Sequence, residues 1–186
     1  LVSGALLLLG GNGAVVWAEK RVPSGIAALL VAVLPLWMVL LDWWRPGGRR
    51  PAAPVLVGLA LGLVGLGLLV GPGALHDGGG SISTIGAVVL MAGSLSWAVG
   101  SLFIKQAPRP TTSINGSGTQ MFAGGLCLLV AGSVGGELTR LDLAQVAPRS
   151  WLGFVYLGTF GSLIGFTAYF YLLSHTSAAR SATYAY

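Results

Sequence analysis

Charged side chains are scarce in this sequence, since only 8% of its 186 residues are Asp, Glu, Lys or Arg. A soluble domain carries about a quarter charged residues, so the deficit excludes an ordinary water-soluble fold. The single cysteine excludes an internal disulfide and a cysteine-based metal cluster. Because no spacing of histidines or carboxylates is typical of a metal site either, we expect neither a metal nor a cofactor.

Hydrophobic residues make up 54% of the chain, and the mean hydropathy is +0.82. Several apolar runs are near twenty residues long, the length that crosses a bilayer as a helix. Lipid offers the backbone no hydrogen-bond partner, so each run must be helical. We predict an all-α polytopic transmembrane helical bundle with spans near residues 1–18, 24–44, 55–70, 84–104, 118–135 and 151–173, and the start of a seventh near 178.

Basic residues outnumber acidic ones by 10 to 5, but they are spread through the predicted loops. Basic residues of membrane proteins collect in cytoplasmic loops, so the excess does not indicate nucleic acid, and the expected surrounding is the lipid bilayer. The densest group, Arg45 to Arg50, predicts a cytoplasmic loop. Leu1 then enters from the cytoplasmic side.

The carboxyl end of the chain repeats the amino end. Gly158 to Tyr186 aligns with Gly4 to Ala32, and both copies read as an apolar helix, a short break and a small-residue-rich helix start. The second copy begins five predicted spans after the first. An odd displacement inverts the second copy in the bilayer, which is the inverted-repeat construction of many secondary transporters.

No charged residue lies deep in any predicted span, which disfavours a proton relay, a voltage sensor and an intramembrane hydrolase. Neutral polar and aromatic side chains remain, and these suit a cavity that holds a small, partly apolar solute. We predict a substrate pathway formed by Asn12, Trp17, Ser94, Trp97 and Tyr169. The alternatives stay open: Trp17 as an interface anchor, and Ser94 and Trp97 as helix-packing residues.

Small residues and one proline predict how the helices approach one another. Gly58 and Gly62 form a G-x-x-x-G pair that lets a partner helix come close, and Gly161 and Gly165 are predicted to pack similarly. Pro35 lies near the middle of the second span and predicts a kink, because proline removes one helical hydrogen bond.

The sequence resembles the EamA family of the drug/metabolite transporter superfamily. The resemblance rests on residues 17–30, 35–37, 58–71, 96–98, 156–166 and 169–186 taken together. The resemblance implies ten spans in two inverted five-helix repeats. Residues 1–83 would be the remainder of the first repeat and residues 84–186 a truncated second repeat. Because the sequence lacks an initial methionine and starts inside an apolar helix, we expect a piece of a longer protein.

The resemblance implies a secondary-type transporter in the inner membrane of a bacterium that exports small organic metabolites or drug-like solutes, and not an enzyme. Two alternatives stay open at this point: a membrane scaffold that does not transport, and a fragment without function of its own. A membrane-embedded enzyme acting on lipid would need clustered charged or nucleophilic motifs at the interface, and the sequence shows none. A small-molecule substrate is the expected partner, nucleic acid is not, and a homodimer is left open.

Overall fold

The computed structural model describes residues 1–48, 50–70, 83–106, 113–177 and 180–181. Across this part of the chain the structure is helical and contains no strand, so the predicted all-α bundle is confirmed. The predicted seventh span lies outside the described residues, apart from two helical residues at 180–181. The helices are α1 (Val2–Glu19), α2 (Ser24–Trp44), α3 (Ala53–Val70), α4 (Thr84–Gln106), α5 (Ser113–Val134) and α6 (Pro148–His175).

Five of these helices are long and apolar enough to cross a membrane, as predicted. The exception is α3, whose apolar part within the described residues, Ala53–Gly65, is shorter than a membrane span. Helix α6 begins three residues before the predicted span, because Pro148 occupies its first turn, where the missing N–H has no helical partner to lose.

Helix α2 is interrupted one turn before its proline. Its first part ends at Val31 and its second part begins at Leu34, with the buried Pro35 in the first turn. Proline cannot donate a backbone hydrogen bond, so the chain closes tighter turns here, including one from Leu36 N to Val33 O at 2.9 Å. The predicted kink position therefore coincides with a break in the helix.

Helices α1 and α6 each contain a stretch of wide, π-helical turns, Ala5–Gly13 in α1 and Leu157–Ile164 in α6. Such turns are rare in proteins. The alignment that relates Gly4 to Gly158 places the two stretches over overlapping positions, so the two copies share an unusual local geometry as well as a residue pattern. The inverted relation of the copies stays a prediction.

Helix α4 lies against α1, α2 and α6, and its serines bond to a different helix in each case. Ser96 Oγ donates to Leu6 O of α1 at 2.8 Å, and Ser94 Oγ accepts from Trp37 Nε1 of α2 at 3.2 Å. Ser101 Oγ shares a hydrogen bond of 2.6 Å with the hydroxyl of Tyr169 in α6. Small polar residues of this kind hold transmembrane helices together where lipid removes the hydrophobic drive for association.

Glycines allow a close contact between α1 and α5. A methyl group built on Gly124 would meet Leu8 and would lie 2.6 Å from the carbonyl oxygen of Gly4. One built on Gly4 would lie 2.5 Å from the carbonyl oxygen of Gln120. Only glycine on both helices lets their backbones approach this closely.

Two buried apolar clusters occupy the space around α2 and α4. One surrounds the α1–α2 turn, and the other lies farther along the two helices and includes α6. The first cluster comprises Ala18, Val22, Ile26, Ala27 and Leu90. The second comprises Leu34, Met38, Ala98, Leu102, Tyr169 and Leu173.

Candidate functional site

A cavity of about 360 Å³ lies between α1, α2 and α4. Its volume falls in the range of small-molecule sites in proteins, about 300–1,000 Å³. It begins beside the α1–α2 turn and extends to the break in α2. The lining residues are Gly11, Asn12, Val15 and Glu19 of α1; Ser24, Ala27, Ala28, Val31 and Leu34 of α2; and Gly93, Ser94 and Trp97 of α4.

Three of the five predicted pathway residues line this cavity, namely Asn12, Ser94 and Trp97. They come from helices that are far apart in sequence and meet because α1 packs directly on α4. The Asn12 amide makes no hydrogen bond to any described residue. Ser94 also takes part in helix packing, because its hydroxyl accepts from Trp37 Nε1 and donates to Met91 O at 2.9 Å.

Trp97 forms the wall between the cavity and the second apolar cluster. One part of its side chain lines the cavity, and the ring lies 6.1 Å from that of Tyr169 and 5.7 Å from that of Phe166. Its Nε1 is buried, and within the described residues it has no hydrogen-bond partner of good geometry. Gly11 lies so close that a methyl group built there would be 2.5 Å from the indole ring.

Tyr169 does not line the cavity, although it contacts Trp97. Its ring is buried in the second cluster, and its hydroxyl is bonded to Ser101. Trp17 is also outside the cavity, with 39% of its surface exposed near the end of α1. The Arg21 guanidinium lies 3.7 Å above the Trp17 ring and donates to Trp17 O at 3.0 Å. These contacts fit the interface-anchor alternative for Trp17.

The predicted packing glycines lie apart from the cavity. Gly58 is exposed with open space around it, and Gly62 is partly exposed on the same helix. Gly161 and Gly165 are exposed on α6, where a built methyl group would meet only atoms of α6 itself. Their role in packing stays a prediction, whereas the close contacts within the described residues use other glycines.

Several cavity residues were not singled out from the sequence. Glu19 and Ser24 flank the α1–α2 turn and line the same cavity. Trp37 orients Ser94 from α2. The signal was present in the chain, because Glu19 is the last residue of α1 and lies two turns beyond Asn12 on one helical face.

Glu19 is the only charged residue among those that line the cavity. It forms no ion pair with a described residue, because the neighbouring cations have other partners. Lys20 Nζ lies 3.8 Å from Glu137 Oε1, and Arg21 is stacked on Trp17. Glu19 therefore contributes a negative charge to the lining of the cavity.

Comparison with protein families gives one match, to the EamA-like transporter family, over residues 84–186. This range is more than half of the chain, and it begins at the first residue of α4. The chain belongs to the EamA-like transporter family. With its apolar helices, it is a multi-pass protein of the inner membrane.

Relatives of this EamA-like chain are named as transporters. It is 37% identical over 187 residues to the uncharacterized inner membrane transporter YedA of Escherichia coli, covering 98% of this chain and 56% of YedA. It is 30% identical over 167 residues to a protein of Streptantibioticus cattleyicolor named "probable terminal-alkyne amino-acid exporter", covering 89% of this chain and 52% of that protein. The uncharacterized transporter YvbV of Bacillus subtilis is 25% identical over 165 residues, covering 88% of this chain and 51% of YvbV.

The EamA-like chain spans about half the length of the curated relatives it matches. No solved structure matches it.

Proposed function

We propose that the full-length protein is a secondary-type transporter that exports small organic metabolites or drug-like solutes, and that the cavity between α1, α2 and α4 is part of its solute site. The observation that carries the proposal is the cavity itself, in a chain of a transporter family. The transporter names of its relatives also favour a carrier over an enzyme.

The lining suits a solute with an apolar body and a few polar groups. Val15, Ala27, Ala28 and Val31 supply apolar contact, and the Trp97 ring offers a flat surface. The Asn12 amide can donate and accept hydrogen bonds, and it has no partner to lose among the described residues. A solute would therefore gain hydrogen bonds here without breaking existing ones.

The break in α2 gives the site a means of changing shape. Leu34 lines the cavity and directly follows the interruption at residues 32–33, where no regular helical ladder holds the two parts of α2 in line. Helices broken near the membrane midplane line the solute sites of many secondary transporters, in which rocking of one part exposes the site alternately to each side. We propose that this break serves that movement.

The first test is Trp97→Ala in the full-length protein, measured as efflux of candidate solutes from loaded cells together with the amount of membrane-inserted protein. We expect efflux to fall by about tenfold or more, because truncation removes one wall of the site. The amount of inserted protein should be unchanged. Trp44→Ala is the matched control, since Trp44 is 72% exposed at the end of α2 and should leave efflux intact.

Loss of inserted protein in the Trp97→Ala variant would assign Trp97 to packing. Trp97→Phe then separates a packing role from a solute-binding role, because phenylalanine keeps an aromatic ring against Tyr169 but removes the Nε1 donor. Normal efflux by an inserted Trp97→Ala variant would contradict the proposed site.

A further inference from the structure

Polar side chains without a hydrogen-bond partner line the cavity from the α1–α2 turn to Asn12, two turns back along α1. The Glu19 carboxylate, the Asn12 amide and the Ser24 hydroxyl all line the cavity and make no side-chain hydrogen bond to another described residue. Ser94, by contrast, is bonded to both Trp37 and Met91. This side of the cavity therefore has unused hydrogen-bonding capacity, including one negative charge at the α1–α2 turn.

The position of Glu19 makes its lack of a partner notable. It is the last residue of α1, where the backbone carbonyl groups of the helix end carry partial negative charge and disfavour a carboxylate. Two cations follow directly in the sequence, yet neither forms an ion pair with it. Lys20 pairs with Glu137, and Arg21 is held against Trp17 by stacking and by a backbone hydrogen bond.

A carboxylate without an ion-pair partner beside an apolar cavity favours cationic solutes over anionic ones. A cationic group gains Coulomb attraction at the entrance, whereas an anion is repelled by both the carboxylate and the helix end. Apart from Ser94, whose hydroxyl is already bonded, the lining beyond Asn12 is apolar or aromatic, so it suits the uncharged part of a solute.

We propose that this cavity takes solutes in which a protonated amine is attached to a small apolar body, with the amine at Glu19 and the body toward Trp97. This inference rests on the proposed transport function and adds the charge class of the solute. It makes Glu19 a specificity-determining residue of the site.

The test measures equilibrium binding to the purified full-length protein in lipid nanodiscs by calorimetry. The four probes share a phenyl ring and differ in charge: 2-phenylethylamine, phenylalanine, 2-phenylethanol and 3-phenylpropionate. We expect the two amine-bearing probes to bind about fivefold or more tightly than 3-phenylpropionate, the size expected for one solvent-accessible charge pair. The preference should shrink as salt is raised, because salt screens an exposed pair.

The Glu19→Gln variant keeps the shape of the side chain and removes its charge. We expect it to bind the amines about fivefold more weakly, to bind 2-phenylethanol unchanged, and to lose the salt dependence. The matched control is Asp142→Asn, which removes a carboxylate that does not line the cavity. Asparagine can still accept the hydrogen bond that Asp142 receives from Ala144 N, and the bond from Gln145 Nε2 that it loses joins two exposed side chains away from the cavity. This variant should therefore bind the probes as the wild type does.

The outcomes separate this inference from the proposed function. Binding of 2-phenylethanol or 3-phenylpropionate as tight as that of the amines, or an unchanged preference in Glu19→Gln, would overturn the amine inference and leave transport standing. Weaker amine binding in Asp142→Asn as well as in Glu19→Gln would assign the effect to overall surface charge and would also overturn it. Absence of efflux by the wild-type protein would instead contradict the proposed function.

Discussion

Helices α1 and α6 carry the two copies of the repeated segment, yet their surroundings differ. Of the most apolar stretch of α1, 33% is buried inside the bundle, whereas none of the corresponding stretch of α6 is buried. Helix α1 packs between α4 and α5, while α6 meets the other helices mainly near its carboxyl end, where Tyr169, Phe170 and Leu173 are buried.

The aligned pair Gly11 and Gly165 shows what this difference teaches. Gly11 is buried against the ring of Trp97, whereas Gly165 is exposed. Both belong to a π-helical region or directly follow one, so their local geometry is similar. A glycine in a transmembrane helix shows that close approach is allowed there, but the neighbouring helix decides whether the approach occurs.

The largest effect should come from the contact between α1 and α5. We expect Gly124→Ala to destabilise the protein by about 1–3 kcal/mol, because the added methyl meets the backbone carbonyl of Gly4, which cannot rotate away as a side chain can. The measurement is the thermal unfolding midpoint of the full-length protein in detergent.

The neighbouring Gly125→Ala is the matched control, because a methyl group built on Gly125 has nothing within 4 Å. Its midpoint should equal that of the wild type or rise slightly, since alanine favours helix more than glycine does. Equal losses in both variants would mean that helix propensity, and not the α1–α5 contact, sets the stability here.

The aligned glycines provide a direct test of the comparison. We expect Gly11→Ala to cost about 1 kcal/mol, less than Gly124→Ala, because the Trp97 ring can shift to relieve the contact. The shifted ring should also weaken binding of 2-phenylethanol to the cavity. Gly165→Ala should change stability by less than about 0.5 kcal/mol and leave binding unchanged. An equal effect on stability from both substitutions would erase the distinction between the two helices.

Much of this architecture follows from the sequence, because each span has to satisfy its own backbone and therefore shows as an apolar run. The buried face of α4 was also predictable, since Gly93, Ser94, Gly100 and Ser101 repeat at helical spacing and are all buried. The family resemblance is confirmed by the match over residues 84–186.

The pairing of the helices was not predictable from one sequence. Helical spacing identifies a face of a helix but not its neighbour, so the bond from Trp37 to Ser94 and the separation of Tyr169 from the cavity had no local signal. Glu19 falls just outside the first predicted span, near residues 1–18, where a charged residue is expected in a loop. Only the packing of α1 against α2 and α4 shows that its carboxylate borders a cavity.

The smallest effect should come from the one part of α6 that is buried. We expect Tyr169→Phe to destabilise the protein by about 0.6–1 kcal/mol, the value of a typical hydrogen bond between transmembrane helices. The variant loses the bond of 2.6 Å to Ser101, while Ser101 keeps its own bond to Trp97 O. Tyr171→Phe is the matched control, because Tyr171 is 56% exposed on the same helix and should leave the unfolding midpoint unchanged.

A double-mutant cycle with Ser101→Ala assigns the effect to this bond. If the bond carries the loss, Tyr169→Phe should cost almost nothing once Ser101 is alanine, because the partner is already absent. A full loss in the double variant would instead assign the stabilisation to a contact of the Tyr169 hydroxyl other than that with Ser101, because phenylalanine keeps the ring against Trp97. In that case the hydroxyl would stabilise the contact of α6 with α4 without Ser101, and Ser101→Ala alone should leave the unfolding midpoint almost unchanged.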